Sequence, residues 1–288
     1  MKNNFESQSP FRCRLDWGAI GADRAAKRGD IIVIVDVLSF STCVVHAVSR
    51  GAVIYPCAEN DISNALAAAP DAEVAVARDK VPHDGRFSLS PLTYTDIKKG
   101  TKVILPSLNG GMCVCCSQSA SHVFAGAMVN ASAVGQAVTE LMTDSDLNLT
   151  VLACGEREKQ TPHDLRPAVE DYLGAGAILS RLPFDKSPEA TVCEAAFAAN
   201  AGQVKELVWD SVSGRELSEM GFGDDVAFAS NIDFTPTFLD LAGVKLNSVK
   251  ELDGVSLKET LRGKQKPIHD YLFFELGFAR GVMTKDWK

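Results

Sequence analysis

The sequence predicts an α/β fold, with a central, largely parallel sheet flanked by helices and a short C-terminal extension. Two observations carry this reading. Short runs rich in Val and Ile recur along the chain with little polar alternation, the pattern of strands buried on both faces. Ala-rich stretches of helical length lie between them, and strands that alternate with helices fold as parallel units with covering helices.

The first run, residues 30–35, is almost wholly β-branched and reads as a buried strand, followed by a helix over 41–49. Strands are expected next at 53–56, 73–77, 102–105, 122–125 and 149–153, with helices at 61–68, 111–117 and 131–142. A helix over 167–182 has Pro167 at its first position, where a missing N–H costs nothing, and Glu170 and Asp171 in its first turns. Its interior Gly174-Ala-Gly176 lowers helix propensity and implies that another backbone or a ligand comes close. A further helix is expected over 188–209. Near Ser230 the texture changes to glycines at turn-like positions, so a boundary is drawn between a domain of residues 1–231 and a segment of residues 232–288.

Composition excludes several classes. Hydrophobic residues make up 46% of the 288, enough for a sizeable core. Acidic residues outnumber basic ones, 37 to 29, for a net charge of −8, and no Lys/Arg-rich run is present, so nucleic acid is not an expected partner. No apolar run nears the roughly 20 residues that span a bilayer, and the first residues lack the apolar core of a signal peptide. The expected compartment is the cytoplasm, with no membrane association, and the eight cysteines are expected to be reduced, mostly buried thiols. Cys113-Val-Cys115-Cys116 has no second Cys/His pair at zinc-site spacing. A homo-oligomer is compatible with the sequence.

Three strand ends carry concentrated polar chemistry. The first is Asp36, with Ser39, Ser41 and Thr42 behind it; the second is Ser107-Leu-Asn109-Gly110-Gly111; the third is Gly155-Glu156-Arg157. Ligands of parallel α/β sheets bind outside the carboxyl ends of the strands, so these loops are expected to converge. Asn109-Gly110-Gly111 would let backbone N–H groups approach an anion, and Ser41-Thr42 would add hydroxyls at a helix N-terminus. Asp36 and Glu156 offer hard oxygen ligands for Mg²⁺, and Arg157 or Arg166 could grip an anionic group bidentately. Each feature has a plainer explanation: an acid or hydroxyl after a strand commonly caps a helix, and Asn-Gly is a turn signal. Residue chemistry leaves cap and active site both open.

Taken in order, the motifs of residues 11–232 resemble the 2-phosphosulfolactate phosphatase family. They are Arg12-Cys-Arg-Leu-Asp-Trp17-Gly18, Val33-Ile-Val-Asp36-Val-Leu-Ser39-Phe-Ser41-Thr42, Phe87-Ser-Leu-Ser90-Pro91, Leu105-Pro-Ser107-Leu-Asn109-Gly110, Gly155-Glu156-Arg157, Leu165-Arg166 through Gly176, and Gly221-Phe-Gly-Asp-Asp225. The resemblance implies Mg²⁺-dependent hydrolysis of 2-phospho-3-sulfolactate to 3-sulfolactate and phosphate, a step of coenzyme M biosynthesis. It implies catalytic roles for Asp36, Glu156 and Asp171, with Asp36 either a metal ligand or the attacking carboxylate. The implied metal set is Asp36, Glu156, Glu170 and Asp171; the implied substrate contacts are Ser39, Ser41, Thr42, Ser107, Asn109, Gly110, Arg157 and Arg166. The chain departs from the family pattern at Val76-Ala-Arg78-Asp79-Lys80, in place of a Gly-rich stretch with an arginine, and at Gly111.

The last residues, from Ile232-Asp-Phe-Thr-Pro236 to Asp286-Trp287-Lys288, resemble a C-terminal piece of an arylsulfatase. The Cys-or-Ser-x-Pro-x-Arg segment that sulfatases convert to formylglycine occurs nowhere in the chain. Three functions follow in order: the phosphatase, a non-catalytic module that binds phosphate or sulfonate, and last a sulfate-ester hydrolase remnant.

Overall fold

The structure is a computed structural model, and the residues it describes are 5–158, 161–231, 271–276 and 279–284. The chain divides into two compact units, residues 1–232 and 233–288.

In the first unit the elements run β1 (Cys13–Trp17), α1 (Gly18–Arg28), β2 (Ile31–Val35), α2 (Phe40–Ser49), β3 (Val53–Cys57), α3 (Ile62–Ala68), β4 (Glu73–Val74), β5 (Lys102–Pro106), α4 (Gly110–Cys116), β6 (His122–Gly126), α5 (Ala131–Thr143) and β7 (Leu149–Ala153). A hairpin of β8 (Glu156–Glu158) and β9 (Thr161–Arg166) follows, then α6 (Val169–Leu179), α7 (Pro188–Asn200), α8 (Val204–Asp210), α9 (Val212–Glu219) and α10 (Gly223–Ala229). In the second unit β10 (Tyr271–Leu276) and β11 (Ala279–Thr284) pair antiparallel. The sulfatase-like reading of 232–288 otherwise lies outside the described residues.

The central sheet has the order β1-β7-β2-β6, all parallel. β2 lies inside it, and its five Ile and Val residues are buried, as the β-branched run requires. Its alternate residues feed two cores. Ile31, Val33 and Val35 pack with residues of α5, α6 and α7, while Ile32 and Ile34 pack with α1 and Cys113 of α4. A second parallel sheet, β3-β5-β4, carries the strands at 53, 73 and 102, which the sequence reading did not separate from the first. It has its own core of Phe40, Cys43, Ala47, Val103 and Leu105. Val35 pairs with both Ala153 and Gly126, so β2, β6 and β7 end level and release their loops at one edge.

Other differences have local causes. The helix expected at 167 starts at Val169 behind the cap residue Ala168, leaving Pro167 outside it. The helix expected over 188–209 breaks at a 3₁₀ turn, Ala201–Gln203, which contains Gly202. In α6, a Cβ on Gly174 would meet Val37 at 2.7 Å, and one on Gly176 would meet the Cys193 carbonyl of α7 at 2.5 Å. The close neighbours are therefore a loop side chain and another backbone. Among the described residues no helix is long and apolar enough to cross a membrane.

β1 carries Arg14 and Asp16, which hid it from a search for apolar runs. Arg14 is accommodated because its Nη1 donates to both carboxylate oxygens of buried Asp30, at 3.1 and 3.2 Å. Arg28 Nε and Thr150 Oγ1 donate to the same carboxylate, at 3.0 and 2.8 Å. Removing one partner of such a network strands the others in a dry site. Asp30→Ala is expected to lower unfolding free energy by about 3–5 kcal/mol in urea titration, and a loss within 1 kcal/mol would show that water replaces the carboxylate.

Candidate active site

Asp36 follows directly on β2, and its carboxylate sits at the N-termini of two helices. Oδ1 accepts the N–H of Phe40, the first residue of α2, at 3.0 Å; Oδ2 accepts the N–H of Gly110, the first residue of α4, at 3.0 Å. Both N–H groups are unsatisfied donors at positive helix ends, where a carboxylate is favoured. The α4 end that could cradle a substrate phosphate is thus filled by Asp36 itself. Glycine is obligatory there: a Cβ on Gly110 would lie 2.2 Å from the Phe40 ring, and one on Gly111 2.0 Å from the Cys57 carbonyl.

The hydroxyls behind Asp36 complete the turn. Ser41 Oγ donates to the Ile34 carbonyl at 2.8 Å and accepts the Asp36 N–H at 3.1 Å. Thr42 Oγ1 donates to the Val37 carbonyl at 2.8 Å. Both residues are fully buried, so their hydroxyls shape the strand-to-helix turn and do not face the cavity. Ser39 is the hydroxyl of this loop that does.

A second carboxylate repeats the device. Asp171, in the first turn of α6, accepts the Val37 N–H at 2.8 Å and the Gly155 N–H at 2.9 Å, joining the loops after β2 and β7. Gly155 has φ +64, and a Cβ there would meet the Arg166 carbonyl at 2.9 Å. The third loop joins through Asn109, whose Nδ2 donates to Glu156 Oε1 at 2.9 Å and whose Oδ1 accepts the Arg157 N–H at 3.2 Å. The three strand-end loops therefore meet.

They bound a cavity of about 450 Å³. Asp36, Ser39, Ser107, Asn109 and Glu156 line it, while Gly110 contributes through its N–H to Asp36. Glu170 and Asp171 are buried outside the lining. Arg157 is not a lining residue; its guanidinium donates to the Leu108 carbonyl and to Asn109, which are. Arg166 Nη2 reaches Ser213 Oγ, a lining residue, at 3.2 Å. The cavity also includes Arg78 and Ser213, which the motif reading did not assign to the site. The signal for Arg78 was its place just past the end of β4, a parallel strand.

The electrostatics of the lining are those of crowded acids. Burial pushes the Asp36 carboxyl up to about 6, partly countered by its two backbone N–H bonds and raised further by Glu170. Burial pushes Glu156 up to about 7, opposed by the Asn109 hydrogen bond and reinforced by Asp36. Asp171 is held well above the usual range by burial and by Asp36 and Glu170. Glu170 Oε2 is buried without a hydrogen-bond partner. Mutually repelling carboxylates with an orphaned oxygen among them fit a divalent cation. Among the described residues no three acid, His or Cys side chains are already gathered as ligands.

Residues 21–242 match the family described as 2-phosphosulpholactate phosphatase. The chain belongs to the 2-phosphosulfolactate phosphatase family. The match begins after the Arg12–Gly18 motif and runs past the boundary drawn at 231. The probable 2-phosphosulfolactate phosphatase of Carboxydothermus hydrogenoformans is 30% identical over 217 residues, 70% of this chain and 82% of that protein. That of Symbiobacterium thermophilum is 25% identical over 226 residues, 71% of this chain and 88% of its own length. The 2-phosphosulfolactate phosphatase of Methanocaldococcus jannaschii is 29% identical over 214 residues, 70% and 85% of the two chains. These matches bear on the phosphatase family alone and say nothing of a sulfatase-like tail.

An Asn at either aspartate has one acceptor for two N–H groups and places an NH₂ against the second. Asp171→Asn is expected to lower unfolding free energy by about 1–3 kcal/mol and to speed amide exchange at Val37 or Gly155 while leaving Phe40 and Gly110 protected. Asp36→Asn should reverse that pattern. Uniform loss of protection in both variants would mean that the loops are not held by separate carboxylates.

Proposed function

We propose that this chain is a Mg²⁺-dependent phosphoric monoester hydrolase acting on the phosphate ester of a small anionic hydroxy acid, 2-phospho-3-sulfolactate, to give 3-sulfolactate and phosphate. The reaction is of the type used in coenzyme M biosynthesis, and its setting is the cytoplasm. The observation that carries the reading, given family membership, is the pair Asp36 and Glu156 on one cavity wall with carboxyls raised to about 6 and about 7.

Asp36 would hold the ion, with Glu170 and Asp171 buried behind it. When bound, Mg²⁺ supplies Lewis-acid neutralisation of the phosphate oxygens. Asp36 is pinned at both oxygens by backbone N–H groups, which favours a fixed anchor over an attacking carboxylate. Glu156, lining the cavity and titrating near neutrality, can carry a proton to the ester oxygen as the O–P bond breaks and recover one from the attacking water. Asn109 fixes the carboxyl that does this by its 2.9 Å bond. Ser39 and Ser107 offer hydroxyls to the bound anion, and Arg166 stands behind Ser213. The tail, without a formylglycine segment, is not expected to hydrolyse sulfate esters.

Phosphate release from 2-phospho-3-sulfolactate should require Mg²⁺, stop with chelator, and fall about 10²–10⁴-fold in kcat for Glu156→Gln. Wild-type protein that releases no phosphate from any acidic phosphoester with Mg²⁺ would sink the reading. Binding of 3-sulfolactate without turnover would point instead to the non-catalytic module.

A stability measurement tests the metal separately. Folded pKa values of about 7 for Glu156 and about 6 for Asp36 lie above the ordinary carboxylate range near ~4. Between those limits the folded protein binds more protons than the unfolded chain, so stability falls as pH rises through the window. The metal-free thermal midpoint should drop from about pH 5 to pH 8, and Mg²⁺ should restore it most at pH 8, where the acids are charged. An ion effect that is absent at pH 8 would remove Mg²⁺ from the site.

A further inference from the structure

Five acids, Asp36, Glu59, Asp79, Glu156 and Glu216, line the cavity; among the described lining residues Arg78 is the only cation. Its Nη2 donates to Ser39 Oγ at 3.0 Å. Its Nε is buried with no hydrogen-bond partner. Nε pairs with Asp225 Oδ2 as an ion pair at 3.6 Å, too long for a hydrogen bond, and that oxygen likewise has no hydrogen-bond partner. Asp225 is itself fixed, because its Oδ1 accepts from Ser90 Oγ at 2.6 Å. The Phe222 ring lies 5.7 Å from the Arg78 guanidinium carbon. Ser90 and Asp225 both belong to sequence motifs for which the catalytic reading has no use.

We propose that Arg78 is the specificity residue of the cavity, taking the sulfonate of the substrate, with Asp225, Ser90 and Phe222 positioning it. The inference rests on the phosphatase reading for the identity of the substrate. A phosphate seated against Asp36, Glu156 and the ion leaves the second strong acid of a small substrate to be met by the protein. A lining of five acids would repel it, and Arg78 is the one group there that offers permanent positive charge. A planar guanidinium fork matches a three-oxygen anion. Ser39 Oγ accepts from Arg78, so its own proton is available to the same anion. Asp225, held short of a good hydrogen bond, orients the guanidinium without saturating it.

The test compares two phosphate esters with Mg²⁺ present: 2-phospho-3-sulfolactate, and 2-phospholactate, which lacks the sulfonate. Arg78→Gln should raise KM for the sulfonated ester about 10–100-fold, with kcat little changed, and leave KM for phospholactate within about twofold. Arg78→Lys keeps the charge but not the fork and should fall between; a thermal midpoint near wild type in the Lys variant shows that the site still folds. Equal effects on both esters, or no effect on either, would overturn the assignment. If wild-type protein releases phosphate from neither ester, the phosphatase reading has failed, and calorimetry with 3-sulfolactate decides Arg78 alone. Binding lost in Arg78→Gln supports it, whereas binding that is unchanged, or undetectable in wild type, overturns it.

Discussion

The Asp36 carboxylate is the contact on which the site depends. It lies where β2 of the four-stranded sheet meets α4, which follows β5 of the other sheet, and it accepts one N–H from each side. A buried carboxylate is costly to desolvate. Two N–H bonds and two helix ends offset much of that cost, though not all, since the group still titrates at about 6. The offset works only if α4 comes close enough, and Gly110 and Gly111 permit that approach. Sequence, packing and charge thus meet at one residue.

This explains why some of the molecule was legible in the sequence and some was not. β2 and β7 announce themselves because parallel strands covered on both sides must be apolar along their length. β1 does not, since Arg14 is buried against an acid that follows it by sixteen positions, a pairing that no local pattern reveals. Helix ends moved by a residue or two for local reasons, as at Val169 behind its cap residue Ala168. The division of strands between two sheets has no local signature at all.

The candidate residues separate for a related reason. Motif order placed Asp36, Asn109 and Glu156 together, and the loops do converge. It could not tell a hydroxyl facing the cavity from one turned into the backbone: Ser39 does the first, Ser41 and Thr42 the second. Nor could it rank the arginines. Arg157 and Arg166 sit in the recognisable motif, yet among the described lining residues the cation is Arg78, in the stretch where the chain departs from the family pattern.

Side-chain length accounts for the division of labour among the four acids. Asp36 and Asp171 are short, stand against the backbone, and have each oxygen held by an N–H group; their charge is fixed in place and their geometry cannot change without loosening two loops. Glu156 and Glu170 have one more methylene. Glu156 keeps one oxygen outside its bond to Asn109, and Glu170 keeps a buried oxygen with no partner. Aspartates build the frame and glutamates retain freedom within it. Five acids line the site, so among the described lining residues Arg78 is the only positive charge that an anionic substrate meets. The acidic net charge of the protein is therefore no guide to the charge of what it binds.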